Sequence, residues 1–132
     1  MKVITATIQP FMLNKVTSAL EAIEGFPGMA VTEARGFGRG RNLTERRALR
    51  IDESGEKVCV EIVTPDEKAQ QIVETFVRAA RTNFSGDGKV FVLPVDSAVS
   101  IQTGETGDRR SDALLTLLTF NDFRVFQLAS NR

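Results

Sequence analysis

The sequence predicts an α+β domain, with two helices laid on one face of an antiparallel sheet in the order strand, helix, strand, strand, helix, strand. Three observations carry this. β-Branched or alternating apolar runs recur at residues 3–8, 57–63 and 89–94. Two segments, 13–23 and 69–80, repeat apolar residues at helical spacing. Strands and helices come in pairs rather than in separate blocks, the signature of a split βαβ unit.

Taken in order, residues 3–8 read Val-Ile-Thr-Ala-Thr-Ile, and Gln9-Pro10 ends the strand. Leu13, Val16, Leu20 and Ile23 then mark the first helix, with Asn14 as its expected cap and Gly25 and Pro27-Gly28 as its stop. Residues 29–37 form the second strand, with Met29, Val31 and Glu33 on one side and Ala30, Thr32 and Ala34 on the other. Val58, Val60 and Ile62 alternate with Cys59 and Glu61 in the third strand. Thr64, Pro65 and Glu67 read as a capping box opening the second helix, whose buried stripe is Ala69, Ile72, Val73, Phe76, Val77 and Ala80. Residues 89–94, Lys-Val-Phe-Val-Leu-Pro, read as a central strand, and 95–103 as a further extended piece before Gly104. This is the ferredoxin-like βαββαβ sandwich, and its second sheet face needs cover, which predicts a homo-oligomer.

Composition narrows the chemistry. A chain of 132 residues fits one domain. Lys plus Arg and Asp plus Glu are 17 each, and that zero net charge argues against a general nucleic-acid binder. There is no His, Trp or Tyr and one Cys, so the usual proton shuttle, a Cys–His nucleophile and familiar zinc sites are excluded. Cys59 reads as a small core or sheet residue in a reducing compartment. No secretory signal is evident at the N-terminus, and no run approaches the ~20 apolar residues that span a bilayer.

Two glycine-rich turns remain. Ser85-Gly86-Asp87-Gly88-Lys89 joins the second helix to the last strand. Glycines two apart expose backbone N–H groups, and a neighbouring lysine adds a point charge, so the turn can hold a phosphate. It lacks the Walker A spacing, and a plain polar connection fits it as well. Gly36-Phe37-Gly38-Arg39-Gly40-Arg41 offers amides and guanidinium groups in the same way, or is a solvated loop. Residues 39–56 carry five arginines and four carboxylates without a period and read as a long functional loop. Residues 109–132 are rich in Leu and Phe and form a separate C-terminal extension.

Met1-Lys2-Val3-Ile4, Gln9-Pro10-Phe11, Gly28-Met29, Gly36-Phe37-Gly38-Arg39, Ala79-Ala80-Arg81-Thr82, Gly86 to Val92 and Thr103-Gly104-Glu105 together resemble the PII signal-transduction proteins. The resemblance covers residues 1–108. It implies a homotrimer that is regulatory rather than enzymatic, cytoplasmic, with adenine nucleotides in the clefts between subunits. It also implies a T-loop, about 39–56, that touches a target protein. Gly38 and Arg39 would approach the phosphates, Val63 would line the adenine pocket, and Gly86, Asp87, Gly88 and Lys89 would form the phosphate-holding B-loop.

Departures from the family pattern refine the expectation. Without Tyr, the family's uridylylation site is missing. Gly40 replaces a glutamine that helps hold magnesium and the oxo-acid effector, and Gln9 replaces a lysine. Ser100 and Gln102 replace two phosphate-binding arginines, which weakens ATP more than ADP or AMP, by roughly 1.5–3 kcal/mol per lost contact. The pattern resembles divergent PII-like members associated with membrane transporters, carboxysomes and inorganic carbon. Bicarbonate beside Lys57 and Arg41 is the expected co-effector. A slow nucleotide hydrolase and a metal-tolerance module on the same fold are the alternatives.

Overall fold

The computed structural model describes residues 1–36, 55–83 and 86–108. Strand β1 (Lys2–Ile8) leads through a 3₁₀ turn (Pro10–Met12) into helix α1 (Leu13–Glu21). Strands β2 (Ala30–Arg35) and β3 (Glu56–Thr64), helix α2 (Asp66–Ala80) and strand β4 (Gly88–Pro94) follow, then the short β5 (Ser97–Val99) and β6 (Thr106–Asp108). The four long strands form one antiparallel sheet in the order β2-β3-β1-β4, the ferredoxin-like arrangement that the residue pattern predicts. Strands β5 and β6 make a separate hairpin, in which the Gly104 amide donates to the Ser100 carbonyl at 2.8 Å.

The core lies between the helices and one sheet face. Ile4, Ala6 and Ile8 of β1 stand opposite Ile62, Val60 and Val58 of β3, so all six share a face. Val16 and Leu20 from α1, Ile23 just after it, and Ala69, Ile72 and Phe76 from α2 cover them in one buried cluster. Val3, Thr5, Thr7, Cys59, Glu61 and Val63 alternate onto the other face, and β4 adds Phe91 and Leu93 there, 54% and 48% exposed.

Several local expectations change. β4 is an edge strand, not a central one. Its apolar run has two destinations: Val90 and Val92 share the face of Ala6 and Ile4, whereas Phe91 and Leu93 point to the face that no described helix covers. Pro94 ends the strand at a position an edge tolerates. Asn14 lies inside α1, because the 3₁₀ turn delivers the chain already helical and Met12 takes the cap position. Thr64 completes β3 instead of capping α2. Pro65 occupies the N-cap, and the buried Thr64 hydroxyl has no hydrogen-bond partner among the described residues. Asp66 and Glu67 instead place negative charge on the first turn of α2, and Asp66 Oδ1 takes the α-ammonium of Met1 at 2.6 Å. Val77 is 43% exposed, while Thr75 and Ala79 join the buried stripe. Thr75 tolerates burial because its hydroxyl donates to the Gln71 carbonyl at 2.8 Å.

Candidate functional site

The structure concentrates polar groups at one end of the sheet, where β1 ends and β3 and β4 begin. Gly86 and Gly88 have φ of +92° and +116°, values that L side chains rarely adopt. Gly88 also pairs with Ile8 across the start of β4, and a Cβ on it would collide with the Thr7 backbone. Glycine is therefore required twice over at this point, by dihedral angle and by space.

Asp87 lies between the two glycines. Its carboxylate accepts the Thr82 amide at 2.8 Å through Oδ2 and the Thr82 hydroxyl through Oδ1. These bonds hold the carboxyl below the usual aspartate range, the hydroxyl contributing most, with smaller help from the Asn83 amide and the Arg81 charge against slight desolvation. Asn83 takes a left-handed φ of 66°, which asparagine accepts better than most residues. Asp87 thus turns its charge back toward the chain leaving α2.

The Gly86 carbonyl is held from the other side. Gln9 Nε2 donates to it at 2.8 Å and Lys57 Nζ at 3.1 Å. Lys57 is the second residue of β3, just past the point where the Gly36 amide donates to the Gly55 carbonyl at 2.8 Å. That bond joins Gly36 to Gly55 beside the 86–89 turn.

Lys89 stands opposite Thr7 in β4 and is exposed. With Arg81, Asp87 and Gly88 it borders a cleft of about 320 Å³ whose apolar wall includes Val73, Phe76 and Val77 of α2. The cleft therefore has an apolar side, with Arg81 and Asp87 also in its lining, whereas Lys89, opposite Thr7 and two residues before Phe91, starts on the sheet face away from the helices.

Of the residues singled out from sequence, Gly86, Asp87, Gly88, Lys89 and Lys57 meet at this end of the sheet. Val63 does not. It pairs with Val3, four residues along β1 from the Thr7 row that holds Lys89, or about 13 Å. Gly38, Arg39 and Arg41 lie outside the described residues, as do most of the 39–56 loop and all of the 109–132 extension. The tethering roles of Thr82 and Gln9 were not readable from sequence. Their partners are distant or lie across a turn, and no local pattern announces them.

The family profile described as Nitrogen regulatory protein P-II matches residues 1–105. This chain belongs to the P-II family. Among P-II relatives, a Nitrogen regulatory protein P-II of Cereibacter sphaeroides is 46% identical over 110 residues, covering 82% of this chain and 97% of the relative. A Nitrogen regulatory protein P-II 2 of Methanothermobacter thermautotrophicus is 47% identical over 112 residues, covering 83% and 96%. The Nitrogen regulatory protein P-II 1 of Escherichia coli K12 is 44% identical over 110 residues, covering 82% and 97%. The P-II match ends near the described β6, so the 109–132 extension lies beyond the matched family profile. Among the described residues, no helix is long and apolar enough to cross a membrane.

Proposed function

We propose that this chain is a cytoplasmic P-II signalling protein that binds adenine nucleotides, ADP or AMP in preference to ATP, in clefts between three copies of itself. Nucleotide occupancy sets the state of the 39–56 loop, and that loop regulates a partner, a membrane transporter or carbon-uptake component, with bicarbonate as co-effector. The observation that carries this reading is the 86–89 turn. Two left-handed glycines open its backbone, Asp87 turns its carboxylate toward Thr82, and the exposed Lys89 follows directly in β4. Such a turn presents amides and one cation to a phosphate chain.

Three further features support it. Val63 lies about 13 Å along the sheet from the turn, a span an extended nucleotide can bridge, so one ligand can reach both from the same or a facing copy. The half-exposed Phe91 and Leu93 give copies an apolar face to share. Ser100 and Gln102 are uncharged, and the Ser100 hydroxyl accepts the Thr103 amide at 3.3 Å, which favours ligands with fewer phosphates. Lys57 and Arg41 are the proposed anion ligands, with Gly38 and Arg39 at the phosphates.

The names of the matched relatives favour a second reading, regulation in nitrogen metabolism, in which the co-effector is an oxo-acid. Thermal-shift measurements with ATP, ADP, AMP, bicarbonate and oxoglutarate separate the two, because a ligand bound only by the native state raises Tm. The first reading predicts a shift with ADP or AMP that bicarbonate enlarges and oxoglutarate does not. The second predicts the reverse for the co-effectors, and no shift with any nucleotide overturns both.

A further inference from the structure

Two side chains distant in sequence converge on one carbonyl. Gln9, immediately after β1, and Lys57, in β3, both donate to Gly86 O, at 2.8 and 3.1 Å. A carbonyl oxygen has two lone pairs, so it accommodates both donors. Because the peptide unit is planar and trans, fixing the Gly86 carbonyl also fixes the Asp87 N–H, which points the opposite way. That N–H is one of the donors an anion at this turn would use. Gly86 has no Cβ and sits at a φ of +92°, so its backbone is permissive and contacts to its carbonyl help fix this peptide plane.

The two donors differ in one respect. Lys57 carries a charge and can be drawn to an anion. Gln9 is neutral and has no such alternative.

We propose that Gln9 is a positioning residue for the nucleotide turn: its carboxamide holds the Gly86 carbonyl independently of Lys57, so Lys57 can turn to an anion without releasing the turn. The inference rests on the nucleotide reading above and adds to it a reason for a neutral donor at residue 9. It makes the two tethers redundant, and redundancy is measurable.

The experiment uses the full chain with Gln9→Leu, Lys57→Met, both changes together, and Gln9→Lys. Hydrogen exchange at the Asp87 amide is followed in the ligand-free protein, and ADP binding by calorimetry. Each of the first two single changes weakens ADP by about two- to three-fold. The double variant weakens it by about ten-fold or more, beyond the product of the singles, and exchanges the Asp87 amide faster than either. Gln9→Lys retains a donor, and in the ligand-free protein its Asp87 amide exchanges as in the parent. Unchanged exchange in the double variant, or an ADP loss no greater than the product, overturns the redundant latch. A parent chain that binds no ADP overturns the nucleotide reading and the ligand role of Gln9, while the exchange data still decide whether the latch exists.

Discussion

A Cβ on Gly88 would stand 1.7 Å from the Thr7 carbonyl oxygen, so the first residue of β4 touches the backbone of β1 with no space for a side chain. At φ +116° no rearrangement of the added methyl relieves the contact, and the β1–β4 ladder itself must move. Gly88→Ala is expected to cost about 2–3 kcal/mol or more in urea unfolding and to displace the neighbouring Lys89. A variant with parental stability would show that this close approach does not exist.

The Thr64 hydroxyl offers the opposite opportunity. It is fully buried and has no hydrogen-bond partner among the described residues. Thr64→Val keeps the shape and removes an unsatisfied polar group, so stability should rise by about 1 kcal/mol. Denaturant melts of the two proteins check this, and a loss of stability on substitution would mean that the hydroxyl is satisfied.

Asp87 gives a pH signature. Its folded-state pKa is lowered, chiefly by the Thr82 hydroxyl and then by the Thr82 amide. A depressed carboxyl contributes stability that is fully present above the unfolded value, about 3.9, and is lost as pH falls through the folded value. Asp87→Asn should therefore differ from the parent at pH 7 and converge with it as the pH is lowered below about 4. A difference that persists unchanged at the lowest pH would contradict the assignment.

The proposed trimer is expected to use the sheet face that no described helix covers. Phe91 and Leu93 are about half exposed in one chain and lie on the face opposite the helices. A Phe91→Lys, Leu93→Glu variant should retain its circular dichroism. Light scattering should show a fall from three times the 14.5 kDa chain mass to a single one. An unchanged mass would place the subunit contacts elsewhere.

Much of the fold was legible because its signals are local. Val58, Val60 and Ile62 alternate as a half-buried strand must, and Ile72 and Phe76 repeat as a buried helix face must. The rank of β4 in the sheet was not legible. A strand apolar on both faces reads alike whether its second face meets a helix layer or an uncovered surface. Thr64 shows how a motif misleads: the capping-box letters are present, but β3 runs one residue further than they assume. At the site, the Gly86, Gly88 and Lys89 spacing was visible as a candidate anion turn. The Gln9–Gly86 bond spans 77 residues and no local pattern encodes it.

The nucleotide claim is tested most directly by calorimetric titration of ADP into the parent chain and into Lys89→Ala. Saturable binding by the parent, weakened about ten-fold or more in a variant with the parental melting temperature, is the predicted result. Equal affinity in the two proteins, or no binding by the parent, would contradict it.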